Sequence, residues 1–413
     1  MAYRCGQEVF RDPKPFVYYV KPIYRRVVCD CCLKMYESEG ILKACAKCNW
    51  VYYCDQTCQK EAWKSHHKSE CKYLQNQNMP QLVKELFDDG NFQDIQEVYL
   101  RLLKIILKLK NNGREEFFQL PNGKKRYFAD LMSNTDDLRK EREHTDWFKF
   151  YHSTFEQFKI WLRAGGNVPS FTEFFEIIGK WQTNATSLAA MNFLNKIHVA
   201  SGLYLGYSSL DHSCSPNATW FNVGKEMVIR TIEDVEDFSE IRISYLDGRK
   251  KTAERKALLQ KNYFFNCKCV KCENPNSDAK FSSLKCNNCP GWVHGSTNIC
   301  SSCFQKLKLR DEELIIVEKY KNDTLPKCDP NMTIKEIKST FEKYIKTFHA
   351  FHEIFKEPEE VFAFPKIVSQ SQKGSHDALL LALEIRKLKL DHHSAHLPQY
   401  NRYLGHLNIL TSD

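Results

Sequence analysis

Between Ser209 and Asn217 the chain reads Ser-Leu-Asp-His-Ser-Cys-Ser-Pro-Asn, which puts Asp211, His212 and Cys214 into one short turn. Proline at 216 bars a regular helix there, so the segment is expected to be a loop. Downstream, Cys267-Lys-Cys-Val-Lys-Cys272 gathers thiols too closely for each to be an independent structural cysteine. Cys214 would supply a fourth thiolate beside Cys267, Cys269 and Cys272, and four thiolates suit a closed, tetrahedral zinc site. Such a site would pin the loop to the cysteine-rich tail near Tyr245. That tyrosine lies in Ile241-Arg-Ile-Ser-Tyr-Leu-Asp247, whose β-branched alternation predicts a short strand.

Two more cysteine groups have ligand spacing. Cys29-x-x-Cys32, Cys45-x-x-Cys48, Cys54-x-x-x-Cys58 and the segment ending in His66-His67-Lys-Ser-Glu-Cys71 offer ligands for two zinc ions. On a helix His67 and Cys71 share a face, so His67 is the better ligand and His66 the second choice. Trp63 is expected in the core of this small module, and Cys31 is left over. Cys286-x-x-Cys289 and Cys300-x-x-Cys303 would close a further site, read as a structural clamp. The total is about four structural zinc ions per chain. His392, His393 and His396 are read as residues of a turn between helices, with no metal.

The composition bounds the class. With 413 residues, 42% hydrophobic and 27% charged, the chain is long enough for two or three domains of ordinary globular character. No apolar run is long enough for a membrane span, and Met-Ala-Tyr-Arg-Cys-Gly-Gln-Glu lacks the apolar stretch of a secretory leader, so no membrane partner and an intracellular location, cytoplasmic and nuclear, are expected. Eighteen cysteines in such a setting mean zinc, not disulfides. The net charge of +9 is spread along the chain, which reads as a mildly basic solvated surface. A nucleic-acid-binding reading rests only on that charge and the fingers, and ranks last.

The elements that must position these residues follow from periodicity. Gly6–Phe10 and 13–20 read as extended chain that must pair with later strands. From about 81 to 181 the pattern is helical: Phe92, Ile95, Val98, Tyr99, Leu102, Leu103 and Ile106 repeat at helical spacing in a largely buried helix. The stretch from Arg163 to Pro169 marks a turn between helices. Residues 218–230 read as a strand pair turning at Val223-Gly224, 249–261 as a helix, and 311 to the end as packed helices with Ala378, Leu381, Ala382 and Ile385 at core positions.

A finger with Tyr52-Tyr-Cys54, Cys58-Gln-Lys and Ala62-Trp resembles a MYND zinc finger, whose relatives bind short peptides. Together with His212-Ser-Cys-Ser-Pro-Asn217, Ile243-Ser-Tyr-Leu-Asp247 and the cysteine triplet, the chain from about Gly6 to Cys272 resembles the SET and MYND domain-containing protein-lysine methyltransferases. The resemblance implies an α+β fold in which a zinc-rich SET β-fold is split by the inserted finger, with a helical insert and a helical C-terminal domain. The expected parts are residues 1–28 for the start of the SET domain, 29–71 for the finger and 72–181 for the insert. The SET core would be 182–247, the cysteine-rich post-SET segment 248–275 and the helical domain 276–413.

The resemblance further implies S-adenosylmethionine as cofactor and a lysine of a histone or other protein as substrate, handled by a monomer. Tyr245 matches the catalytic tyrosine, and Phe265 the aromatic lining the cofactor and lysine channel. His212, Asn184 and Asn134 fall on cofactor-contacting positions, as does Asp211, where the family has asparagine; Met132 stands where it usually has a carboxylate. No Gly-x-Gly occurs in the 413 residues, so the chain is expected to begin downstream of the strand that carries it. The alternative is a catalytically degenerate scaffold that recruits partners through its finger and helices.

Overall fold

Glu8–Asp12 buries Val9, Phe10 and Asp12 while Arg11 faces out, the adjacent buried pair falling where the pairing register shifts between Glu8 and Phe10. The strand finds its partner far along the chain, pairing antiparallel with Glu226–Thr231 in the register Phe10 to Ile229 and Arg11 to Val228. Ala218–Val223 flanks Glu226–Thr231 on its other side, as the hairpin around Val223-Gly224 requires. Val17–Val20 pairs likewise with Lys196–Leu203, which also pairs with Ala185–Met191. The expectation that the N-terminal strands pair with later ones therefore holds.

The computed structural model describes residues 2–75, 84–86, 92–162, 168–191, 196–322, 327–329 and 331–396. Residues 163–167 of the expected turn lie outside these. Two compact units divide the chain. One comprises Met1–Asp211, Trp220–Ile243 and Leu259–Phe265, the other His212–Thr219, Ser244–Leu258 and Asn266–Asp413. Among the described residues no helix is long and apolar enough to cross a membrane.

In the first unit the sheet containing Val17–Val20 and the finger pack on the helix Ile95–Lys108, which buries residues on nearly every side. The helix starts there because the Asp94 carboxylate accepts from the Gln96 backbone N–H at 2.9 Å. The helical expectation from residue 81 is thus corrected: Lys84–Leu86 and Phe92–Asp94 pair as a small antiparallel ribbon, and Phe92 belongs to a strand. A second correction is the hairpin Phe117–Gln119 with Lys125–Tyr127 inside the region read as wholly helical. Its turn holds Asn122-Gly123, where Gly123 at φ +82° adopts the left-handed conformation that glycine takes without strain. The helices Asp146–Leu162 and Phe171–Asn184 meet through rings, with Phe155 and Phe174 4.9 Å apart between centroids.

One buried ion pair ties the finger to this unit. Lys104 Nζ lies 2.7 Å from Glu70 Oε2, each side chain only 4% exposed. Trp63, expected in the finger's core, is instead 39% exposed, because the helical turn 63–67 widens to a π-helix and gives the buried place to His67.

In the second unit the helices Ile334–Thr347, Phe364–Gln372 and His376–His396 enclose Phe341, Phe348, Phe355 and Phe362. Thr333 caps the first of these, its hydroxyl accepting from Glu336 N while Glu336 Oε2 accepts from Thr333 N. Ala378, Leu381 and Ile385 are core residues, as their spacing implies. His392, His393 and His396 stand on the last helix, all buried, and not in a turn. The strand expected over 241–247 is shorter: only Arg242–Ile243 is extended in pairing, and Tyr245 follows in a bend.

Candidate active site and zinc clamps

All eighteen cysteines are free thiols. The sixteen predicted ligands fall into four groups whose ligand atoms lie within 4.8 Å of one another: Cys29, Cys32, Cys54 and Cys58; Cys45, Cys48, His67 and Cys71; Cys214, Cys267, Cys269 and Cys272; and Cys286, Cys289, Cys300 and Cys303. The two finger sites interleave along the chain, so each braces the other. His67, not His66, joins its group, with Nε2 3.6 Å from Cys48 Sγ. His66 turns instead to Asp30, its Nε2 3.4 Å from Oδ2.

The spacings test the fit to zinc. A tetrahedron with Zn–S bonds of about 2.3 Å has edges of roughly 3.8 Å. Here Cys32 and Cys54 are 3.9 Å apart, Cys45 and Cys71 3.9 Å, Cys286 and Cys303 3.7 Å, and Cys214 and Cys272 3.5 Å. Backbone N–H groups aim at the sulfurs: Ser302 N is 3.4 Å from Cys300 Sγ and Gly291 N 3.4 Å from Cys289 Sγ. The N–H of Cys303 lowers the Cys300 thiol, and the crowding of Cys300 against its neighbours raises Cys289 and Cys303. These donor sets fit structural zinc, and with four protein ligands each they leave no open position for Lewis-acid chemistry.

The Cys214 group organises the surroundings of Tyr245 within the second unit. It joins the loop 212–219 to the segment that starts at Asn266. His212 bridges inward from it: Nδ1 accepts from the Tyr245 backbone N–H at 2.9 Å, and Nε2 lies 3.2 Å from Cys214 Sγ. The imidazole stands 5.1 Å from the Tyr245 ring. Burial, with Arg255 as a second cause, pushes the His212 pKa down to about 4, so the ring is neutral. Lys271, between two of the cysteines, donates to Gly248 O at 3.0 Å and fastens the bend after Tyr245.

The sequence reading missed two arginines. Arg255 is completely buried, with Nη2 3.0 Å from Thr252 Oγ1 and 3.7 Å from Cys272 Sγ. A cation there offsets the negative charge of four thiolates. Its position on the helix that leads into the cysteine triplet is the available signal. Arg249 is gripped by Asp247 at 2.8 Å and Glu357 at 2.9 Å and also touches His393, so the helical domain reaches to within a few residues of Tyr245.

The remaining predicted residues lie in the first unit. Asn184 is buried, and its amide donates to Met132 O at 2.8 Å and Lys180 O at 2.7 Å. One of these bonds fastens the Leu131–Asn134 segment and the other closes the last turn of the helix Phe171–Asn184, so the amide is fully committed. Asn134, at φ 50°, precedes the helix Thr135–Arg142 and donates to Thr183 Oγ1 and Tyr263 O at 3.3 and 3.4 Å. Phe265 is half-buried, 6.4 Å from the Tyr263 ring. Asp211 is exposed and lines a cavity of about 530 Å³ with Ser209, Arg126, Asp130 and Arg242.

Finger, clamps and mixed architecture together define a zinc-braced α+β protein of the MYND class. The MYND finger family matches residues 29–71. Human SMYD3, a histone-lysine N-methyltransferase, is 30% identical over 278 residues, which are 67% of this chain and 58% of that protein. The histone-lysine N-methyltransferase ASHR1 of Arabidopsis thaliana is 25% identical over 365 residues, 83% of this chain and 70% of its own. A SET and MYND domain-containing protein of Dictyostelium discoideum is 25% identical over 408 residues, with 85% and 70% covered. The chain thus spans 58% of the length of the human relative. Over most of its length it is similar to SET and MYND domain-containing proteins, among them named lysine methyltransferases.

Proposed function

We propose that the protein transfers a methyl group from S-adenosylmethionine to a lysine amine of another protein. The observation that carries this reading is the clamp: a closed set of four thiols holds His212, and His212 in turn holds the backbone of Tyr245. The residues suit the cofactor. Of the residues assigned to the cofactor, Asp211 alone lines the cavity of about 530 Å³, where its carboxylate and that of Asp130 would meet the cofactor's ammonium and the Arg126 guanidinium would meet its carboxylate. The cavity's volume falls within the roughly 300–1,000 Å³ typical of small-molecule sites.

When bound, S-adenosylmethionine supplies an electrophilic methyl group. The chain's own task is to deliver a neutral amine in line with it. Lysine in water has a pKa of about 10.4, and an aromatic channel strips water from the ammonium and lowers that value. Phe265 would line this channel. The Tyr245 hydroxyl would accept from the amine and turn its lone pair toward the methyl carbon, without acting as a strong base. Most of the acceleration would then come from positioning. The MYND finger, with Trp63 exposed, would dock a peptide segment of a partner protein.

Calorimetry of the full, zinc-loaded chain with S-adenosylmethionine tests the reading. Saturable binding at one site is expected, together with incorporation of labelled methyl into lysine of an added protein mixture. Absence of binding to folded, zinc-replete chain would leave the scaffold role in its place.

A further inference from the structure

Around Cys286, Cys289, Cys300 and Cys303 the second unit folds into a narrow antiparallel ribbon. Leu284 pairs with Phe348 on one side and Val293 on the other, and Val293 pairs with Cys300. In the alternate positions Lys285 pairs with Trp292, and Ile299 with Lys306. Residues opposite one another in such a ladder share a face, and successive residues point to opposite faces. The inward face thus gives Leu284, Val293 and Cys300 to the core, with Leu307 and Leu309 packed against it. The outward face carries Lys285 beside Trp292 and Ile299 beside Lys306, and Lys308 is exposed in step with Lys306. Phe304, two residues before Lys306, is 78% exposed.

Phe304 follows Cys303 at φ +57°, in the left-handed region that glycine takes freely and a residue with a β-carbon takes at a cost. Leu33 follows Cys32 at φ 61°, but it is buried, so packing offsets the cost. Asn49 follows Cys48 at φ 53° and is of a type that tolerates this conformation. Phe304 has neither compensation. A ring held in water where glycine would fold more easily points to a use outside folding.

Charge narrows that use. From Ala279 to Arg310 the chain has no carboxylate side chain. Lys280 turns to Ala395 O and the Phe351 ring, and Arg310 to Glu313, so Lys285, Lys306 and Lys308 are the cations of the outward face. The thiolates beneath are met from the backbone, since the N–H groups of Asn288, Gly291 and Ser302 each reach a ligand sulfur at 3.4 Å. Rings interleaved with ammonium groups on an open sheet face suit an extended polyanion that has flat apolar faces of its own. An acidic peptide would use the cations and leave the rings in water, and a nucleic-acid duplex keeps its base faces inside its own stack.

We propose that this face binds single-stranded nucleic acid, with bases stacked on Phe304 and Trp292 and phosphates at Lys285, Lys306 and Lys308. The net charge of +9 alone marks no such site; the ladder makes one by collecting rings and cations on one side. Binding here needs no cofactor and is independent of methyl transfer.

Anisotropy of labelled oligo-dT and oligo-U of about 12 nucleotides, added to the full, zinc-loaded chain, tests the proposal. Binding of either strand supports it, and the tighter of the two identifies DNA or RNA as the class. A duplex of equal length binds roughly tenfold more weakly. Phe304→Ala and Phe304→Gly each weaken the strand roughly tenfold without changing its salt dependence, because no counterion is released at a ring. Lys306→Gln and Lys308→Gln each reduce the slope of log affinity against log salt by roughly 0.7. Phe304→Gly also keeps or raises the urea midpoint, since glycine relieves the left-handed backbone, so its loss of affinity is not a loss of fold. Failure of both strands to bind overturns the proposal, as does indifference to both Phe304 substitutions. Displacement of the strand by polyglutamate of matched charge, or by anionic phospholipid vesicles, as effective as that by unlabelled strand overturns it in favour of an acidic peptide or a membrane. Loss of binding on Trp63→Ala but not on Phe304→Ala would move the site to the finger and overturn it equally.

Discussion

The backbone N–H of Tyr245 donates to Nδ1 of His212, and the opposite nitrogen of that ring lies 3.2 Å from Cys214 Sγ. A nitrogen that accepts carries no proton, so the neutral ring keeps its hydrogen on Nε2 and points it at the sulfur. One imidazole therefore relays the rigidity of a metal-ligand set to the backbone of the proposed catalytic tyrosine.

His212→Phe keeps the bulk of the ring and deletes both hydrogen bonds. It is expected to lower stability by about 1–3 kcal/mol, since the Tyr245 N–H loses its acceptor. Hydrogen exchange at the Tyr245 amide should quicken while zinc content stays unchanged. Unaltered exchange at that amide would mean that the ring does not hold it.

Arg255→Met removes a fully buried cation beside Cys272. Loss of one partner from a buried charge set typically costs about 3–5 kcal/mol. Metal analysis after dialysis against a mild chelator should show one zinc lost ahead of the others. Retention of all zinc with unchanged stability would contradict the role given to Arg255.

Lys104 and Glu70 form the buried pair that ties the finger to the helix Ile95–Lys108. Lys104→Met and Glu70→Gln should each destabilise by about 3 kcal/mol, and the double variant by clearly less than their sum, because neither then leaves a charge unpaired. Denaturant unfolding of the four proteins measures the coupling, and strict additivity would refute it.

Four buried histidines make the second unit sensitive to acid. Burial pushes His393 and His396 down to about 4, His352 to about 3 and His392 to about 2; Arg249 and Lys389 add to the effect at His393, and Lys251 at His352. Glu357 opposes it at His393. In the unfolded chain these rings titrate near 6.5, so they bind more protons unfolded than folded. Stability is thus fully present above about pH 6.5 and is lost as pH falls from there toward 4, by up to about 1.4 kcal/mol per pH unit for each ring. Urea titrations between pH 7.5 and 5 should show this slope, and His393→Asn should flatten it. An equal slope in that variant would contradict the assignment.

The residues that bind metal were legible because a C-x-x-C knuckle specifies its chemistry locally, whichever knuckle completes the site. Which knuckles share an ion was not legible, since the interleaving of 29, 32, 54 and 58 with 45, 48, 67 and 71 is set by folding in three dimensions. The hairpin at 117–127 carried a readable Asn122-Gly123 signal that the surrounding helical periodicity hid. Asp94, a capping side chain, marks the helix start that the apolar run before it obscures. Tertiary placement decided the rest. Nothing local predicts that Trp63 faces out, that three histidines of the last helix are buried, or that Arg255 lies under the clamp.

Methyl transfer by the full chain and by Tyr245→Phe, with zinc counted in both, tests the account most directly. Labelled methyl from S-adenosylmethionine should reach a lysine-bearing protein with the parent chain. With the variant the rate should fall by about 10²–10³, the usual loss when one oriented hydroxyl is removed from a reacting centre, while both proteins retain about four zinc ions. Undiminished transfer by a zinc-replete Tyr245→Phe protein would contradict it.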